Sequence, residues 1–167
     1  MAVLEILKAP NDKLRMKSKA VDDISSIQKL IDDMLETMYS TDDGIGLAAA
    51  QIGRRESIVV IDISENRDAP LILINPMISS GENRIKGQEG CLSVPGYYAD
   101  IERYENVKVS ALDRYGNEII IESDGYLAIV MQHEIDHLDG KLFIDYLSPL
   151  KRQIALKKVR KVANQAA

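Results

Sequence analysis

Tryptophan is absent from this 167-residue chain and phenylalanine occurs once, so aliphatic side chains must fill its core. Cys91 is the only cysteine, which rules out an internal disulfide and suits a reducing compartment. No apolar run approaches the length of a membrane span. The start, Met1 to Lys8, lacks a basic stretch followed by an apolar one, so no secretory signal is expected. Repeats and low-complexity linkers are missing too, and at this length one domain over residues 1–167 is predicted. The expectation is a soluble, cytoplasmic globular protein with neither membrane nor DNA among its partners.

Basic charge is scarce in the body of the chain and abundant at its end. Residues 141–167 hold seven Lys or Arg against one acid, Asp145, a balance of +6. The remainder carries −11, and the whole carries −5. Such a tail is either a solvated helix face or a contact surface for a polyanion.

Ile24, Ile27, Leu30, Ile31, Met34, Leu35 and Met38 recur at spacings of three and four, predicting an amphipathic helix capped by Asp22 or Asp23. Ser57 to Ile63 and Leu71 to Ile74 are short aliphatic runs that read as buried strands. Val107 to Leu112 alternates, Asp113 to Asn117 turns, and Glu118 to Ile121 returns, the pattern of an antiparallel hairpin. Gly125 to Leu138 reads as a second helix, and Ser148-Pro149 opens a third. The expected class is α+β: antiparallel sheets packed around a central helix, with a basic C-terminal helix over 151–167.

Histidine occurs only twice, and both copies fall in His133-Glu134-Ile135-Asp136-His137. At i and i+4 on a helix, the two imidazoles share one face and can reach one metal ion. Glu134, next to the first, is placed to act as general base on a water at that ion. A catalytic site of this type takes a third protein ligand. Downstream of His137 only Asp139 and Asp145 are carboxylates. Upstream stands Cys91, in Glu89-Gly90-Cys91-Leu92-Ser93. A lone cysteine is commonly a small buried hydrophobe, but a site lacking one ligand tips the balance toward a thiolate. Gly44-Ile45-Gly46 leaves backbone open to an approaching peptide or is an ordinary turn, and the Gln51 amide can donate to a developing oxyanion. Tyr126, Ile129, Val130, His133 and His137 share a helix face, so the first three either wall a pocket for an unbranched side chain or belong to the core.

Three segments stand in order: Gly44-Ile45-Gly46-Leu47-Ala48-Ala49-Ala50-Gln51, Glu89-Gly90-Cys91-Leu92-Ser93 and Gln132-His133-Glu134-Ile135-Asp136-His137. Together with Leu142 to Ser148 they closely resemble the peptide deformylases. The resemblance implies a hydrolase that removes the formyl group from the N-terminal formyl-methionine of nascent polypeptides and releases formate. It implies Cys91, His133 and His137 as ligands of one divalent metal per chain: ferrous iron in the cell, with zinc, nickel or cobalt replacing it on purification. It also implies Glu134 as acid and base, Gln51 and the Leu92 N–H as oxyanion donors, and Ile45, Gly46 and Gly90 as holders of the substrate backbone. For the basic tail it implies contact with ribosomal RNA, and deleting residues 151–167 is then expected to spare turnover of short peptides. Glu89 and Arg103 match a family ion pair, although on sequence alone they read as surface charges. Two rival readings remain at this point: an H-E-x-x-H zinc endopeptidase, whose third ligand would be a carboxylate, and a non-catalytic formyl-methionine binder.

Overall fold

The computed structural model describes residues 2–166. Its strands are β1 (Gly46–Ala48), β2 (Ile58–Ile61), β3 (Leu71–Cys91), β4 (Val94–Leu112) and β5 (Glu118–Ser123). They form one continuous antiparallel sheet in sequence order. The helices are α1 (Gln28–Tyr39), α2 (Tyr126–Leu138) and α3 (Pro149–Ala166). This is the α+β arrangement that the sequence predicts.

Strand β2 shows why its aliphatic run is buried throughout. Ile58 and Val60 point to one face, where they meet Leu30, Ile31, Met34 and Met38 of α1. Val59 and Ile61 point to the other face and meet Ala128, Met131 and Ile135 of α2. A strand covered by a helix on each side has no solvated face, so alternation disappears from its sequence. The α1 stripe is the predicted one, but its first turn, Ile24–Ile27, is a 3-10 turn. Of the two candidate caps, Asp23 serves: its carboxylate accepts from the Ser25 N–H at 3.0 Å.

Helix α3 starts as Ser148-Pro149 foretells, with the Lys151 N–H donating to Ser148 Oγ at 3.3 Å. Its residues Ala155 and Val159 are buried against Val94, Ile101 and Phe143. The turn before β5 is held by Asp113, whose carboxylate accepts from the N–H groups of Tyr115 and Asn117 at 2.9 and 3.0 Å.

Two elements far exceed their predictions. The strand read as Leu71 to Ile74 continues to Cys91, the strand read as Val107 to Leu112 already begins at Val94, and the two pair along their length through register shifts at Ile74/Met77, Ile78/Ser80 and Glu89/Cys91. Ser79 to Gln88 holds Gly, Asn and charged residues with no aliphatic run to mark a strand, because most of this stretch is solvent-exposed. The payoff of this long hairpin is positional: its tip delivers Cys91.

Candidate metal centre and substrate cleft

Cys91 and Val94 are register partners, so Leu92 and Ser93 form the turn at the hairpin tip. The Ser93 N–H donates to Cys91 Sγ at 3.4 Å and orients the sulfur. Helix α2 is packed on the sheet through Ala128, Met131 and Ile135 and turns its ligand face toward that tip. His133 and His137 stand one turn apart, with ring centroids 5.1 Å from each other. Cys91 Sγ lies 3.4 Å from His137 Nε2, and the ligand atoms of Cys91, His133 and His137 all lie within 4.8 Å of one another.

This donor set suits a divalent transition metal. Ligand atoms on a shared tetrahedral ion sit about 3.3–3.7 Å apart, from ordinary metal–nitrogen and metal–sulfur lengths. Glu89 Oε1 lies 2.8 Å from His133 Nδ1, which leaves Nε2 for the cluster and forms the carboxylate–histidine pairing typical of metal sites. Burial opposes a charge on His133, yet hydrogen bonding to Cys91 and Glu89 raises its affinity for a proton well above the ordinary imidazole value. Burial and the neighbouring cations keep His137 neutral, the form that binds metal. Asp139 and Asp145 lie outside the cluster: Asp139 is exposed, and Asp145 is bound by Arg15 at 2.6 and 3.0 Å. A carboxylate third ligand, as the endopeptidase reading requires, is therefore not in place.

Glu134 is buried beside the cluster, and its Oε1 has no hydrogen-bond partner among the described residues. Burial pushes its carboxyl up to about 7. A Cβ at Gly46 would stand 2.5 Å from Glu134 Oε2, so only glycine lets β1 approach the carboxylate this closely. Gln51 is fixed at both ends of its amide. Its Oε1 accepts from the Ala48 N–H at 2.9 Å, and its Nε2 donates to Ser93 Oγ at 3.1 Å while lying 3.6 Å from Cys91 Sγ.

These groups open into a cleft of about 530 Å³. Ile45, Gly46, Gly90 and Leu92 line it, and Tyr126, Ile129 and Val130 extend the α2 wall beyond His133. Val130 is 5% exposed and also belongs to the core, so for this residue the two readings coincide. Tyr126 is 59% exposed and stands at the rim.

The surface reading of Glu89 and Arg103 is overturned. Both are buried, and Arg103 grips the Glu89 carboxylate with two hydrogen bonds of 2.9 Å. Burial raises the Glu89 carboxyl, but bonds from Arg103 and His133 outweigh it and hold the group at about 2. Arg103 also donates to Asp136 at 2.6 Å, and Tyr146 donates to the same carboxylate at 2.7 Å with its ring 5.0 Å from the guanidinium. Sequence reasoning missed Asp136, Tyr146 and Ser93 as supports, and Lys8 and Tyr98 as cleft-lining residues. A signal for Arg103 existed: it shares the inward side of β4 with Ile101, two residues before it. That signal is visible only once β4 is recognised as a strand.

A polypeptide deformylase family model matches residues 3–153. Peptide deformylase 1 of Vibrio vulnificus is 67% identical over 161 residues, 96% of each chain. Peptide deformylase 2 of Vibrio cholerae serotype O1 is 66% identical over 167 residues, 99% of each chain. Among solved structures, a peptide deformylase from Legionella pneumophila superposes with a TM-score of 0.95 at 45% identity, covering 99% of this chain and 98% of that one. The enzyme from Ehrlichia chaffeensis in complex with actinonin gives 0.91 at 44% identity, covering 96% and 98%. No helix among the described residues is long and apolar enough to cross a membrane. With this likeness along nearly its whole length, the chain belongs to the polypeptide deformylase family.

Proposed function

We propose a division of labour among the residues of this site for the family's reaction, in which water removes the formyl group from the N terminus of a nascent peptide and formate is released. Cys91, His133 and His137 hold one divalent metal ion, ferrous iron in the cell and zinc, nickel or cobalt after purification in air. When bound, that ion supplies Lewis-acid polarisation and lowers the pKa of water to near neutrality. Glu134 takes the proton from water as the oxygen attacks the formyl carbon. Gln51 Nε2 and the Leu92 N–H donate to the developing oxyanion. Glu134 then gives its proton to the leaving nitrogen, the C–N bond breaks, and formate and a free amino terminus result.

The observation that carries this reading is the buried Glu134 carboxylate, unpartnered at Oε1 and adjacent to the Cys-His-His cluster at the floor of the cleft. An ionisable group kept desolvated and unpaired costs stability, and such a cost is typical of a working acid or base. Ile45, Gly46 and Gly90 hold the substrate backbone. Ile129, Val130 and Tyr126 form the wall for the methionine side chain. The continuous sheet supports reading residues 1–167 as one catalytic domain, with residues 151–167 as its basic helix, open to contact with ribosomal RNA; a nascent-chain substrate places its work in the cytoplasm.

The test compares formyl-Met-Ala-Ser with acetyl-Met-Ala-Ser. Formate release from the first and no cleavage of the second is expected. Cutting inside either peptide, or equal turnover of both, would overturn the assignment.

A further inference from the structure

Helix α1 ends at Tyr39, and the chain then turns through residues 40–44 into Ile45 and Gly46. Carbonyl groups at a helix end lack intrahelical partners, and a turn that follows adds more. Here the Met38 carbonyl accepts from Thr41 Oγ1 at 2.7 Å, and one side chain from elsewhere meets it together with three carbonyls of the turn. Arg67 donates through one guanidinium nitrogen to the Thr41 and Asp42 carbonyls at 3.0 and 3.1 Å. Through the other it donates to the Met38 and Gly44 carbonyls at 3.3 and 3.2 Å. The guanidinium carbon lies 5.4 Å from the centre of the Tyr39 ring.

Presenting Arg67 in this way requires its own small scaffold. Its φ is 56°, in the left-handed region that a non-glycine residue seldom adopts. The loop is wound around buried Asp62, whose carboxylate accepts from the Ser64 and Ala69 N–H groups at 2.9 and 3.1 Å and from Tyr39 Oη at 2.5 Å. The Asp62 N–H in turn donates to the Ile45 carbonyl at 2.8 Å. The turn itself has little slack, since a Cβ at Gly44 would stand 2.1 Å from Thr41 Oγ1.

We propose that Arg67 is a positioning residue for peptide binding: by gripping the carbonyls of Met38, Thr41, Asp42 and Gly44 it fixes the approach to Ile45 and Gly46 against which an extended substrate lies. This rests on the reading that Ile45 and Gly46 hold the substrate backbone. Two other contacts keep Gly46 in place against Glu134 when Arg67 is lost: its pairing with Ile61 and the Asp62–Ile45 bond. Loss of Arg67 therefore loosens the Gly44 side of the strand and leaves the general base where it is. Binding of peptide should suffer, and chemistry should not. A lysine retains the charge but lacks the planar fork that spans several carbonyls.

The experiment measures kcat and KM for formyl-Met-Ala-Ser and for formyl-Met, which lacks downstream amides, in wild type, R67A and R67K. Wild type should show the lower KM for the tripeptide; equal values would overturn both the reading of Ile45 and Gly46 and this inference. R67A should keep its metal content, raise the tripeptide KM by about tenfold, the size of one or two lost ordering contacts, and leave the formyl-Met KM and both kcat values near wild type. Millimolar guanidinium should lower the raised KM again, which a general loss of stability would not allow. R67K should show the same split at smaller size, and it carries the test if R67A does not fold. A tripeptide KM unchanged in a folded, metal-loaded variant, or a loss confined to kcat, would overturn the inference while leaving the wild-type preference intact.

Discussion

Helices α2 and α3 both carry polar residues, yet they treat them in opposite ways. In α2, Gln132, His133, Glu134 and His137 are buried. Gln132 clamps the backbone of Tyr104 with bonds of 2.9 and 2.8 Å, and His133 is braced by Glu89. In α3, Lys157, Lys158, Arg160 and Lys161 are exposed, and none forms an ion pair among the described residues. Burying a polar group is costly unless a partner repeats the hydration it loses: Gln132 and His133 have such partners, whereas Glu134 Oε1 and His137 Nδ1 have none among the described residues and bear that cost at the site. Helix α3 is polar where water already suffices. The lesson is that polar residues report function in one helix and solubility or long-range attraction in the other, and burial tells them apart.

The sharpest way to break that contrast is to remove the proposed ligand that the β3–β4 tip brings to α2. Cys91→Ala should lose the bound ion, measured by elemental analysis after anaerobic purification, and with it formate release. Activity and one ion per chain in that variant would show that sulfur is not a ligand and would dissolve the proposed centre. Glu134→Gln is the next step down. It should keep the ion while kcat falls by about 10²–10⁴, the usual contribution of a general acid–base group. A variant that retains most of its kcat would move the base elsewhere.

How much of this was legible in the sequence depends on where the signal lies. His133, Glu134 and His137 are local: helix periodicity alone sets them on one face, and the structure places them so. The α1 stripe and the β4–β5 hairpin are local as well. Cys91 is different, since nothing near it in sequence is another ligand, and its meeting with His137 depends on a hairpin tip whose strands are largely polar. The same gap hid Arg103, an inward charge on a strand that did not look like one. Arg67 was invisible for a third reason: its partners are backbone carbonyls, which carry no sequence signature.

Arg103 offers an intermediate test, because it supports the α2 site without belonging to it. Arg103→Leu leaves Glu89, which is buried, and Asp136, which is half-buried, without their cation. Removing one partner from such a network costs about 3–5 kcal/mol in unfolding free energy, to be read from urea titration. Metal affinity should fall by about 10–100-fold, the common cost of losing support behind a histidine ligand. Unchanged affinity in a destabilised protein would confine Arg103 to folding.

The smallest effect on turnover is expected from α3. Deleting residues 151–167 is a poor way to obtain it, because Ala155 and Val159 are core residues and their loss would expose Ile101 and Phe143. Changing Lys157, Lys158, Arg160 and Lys161 together to Gln removes charge and keeps the buried stripe. The unfolding midpoint and the kinetics on formyl-Met-Ala-Ser should match wild type, because exposed charges without partners contribute little to either. Ribosome binding should weaken, and the slope of log affinity against log salt should shrink by about 0.7–0.9 for each phosphate contact removed. If affinity and slope are both unchanged, the positive face is solvation alone, and any ribosome contact must be made by another surface.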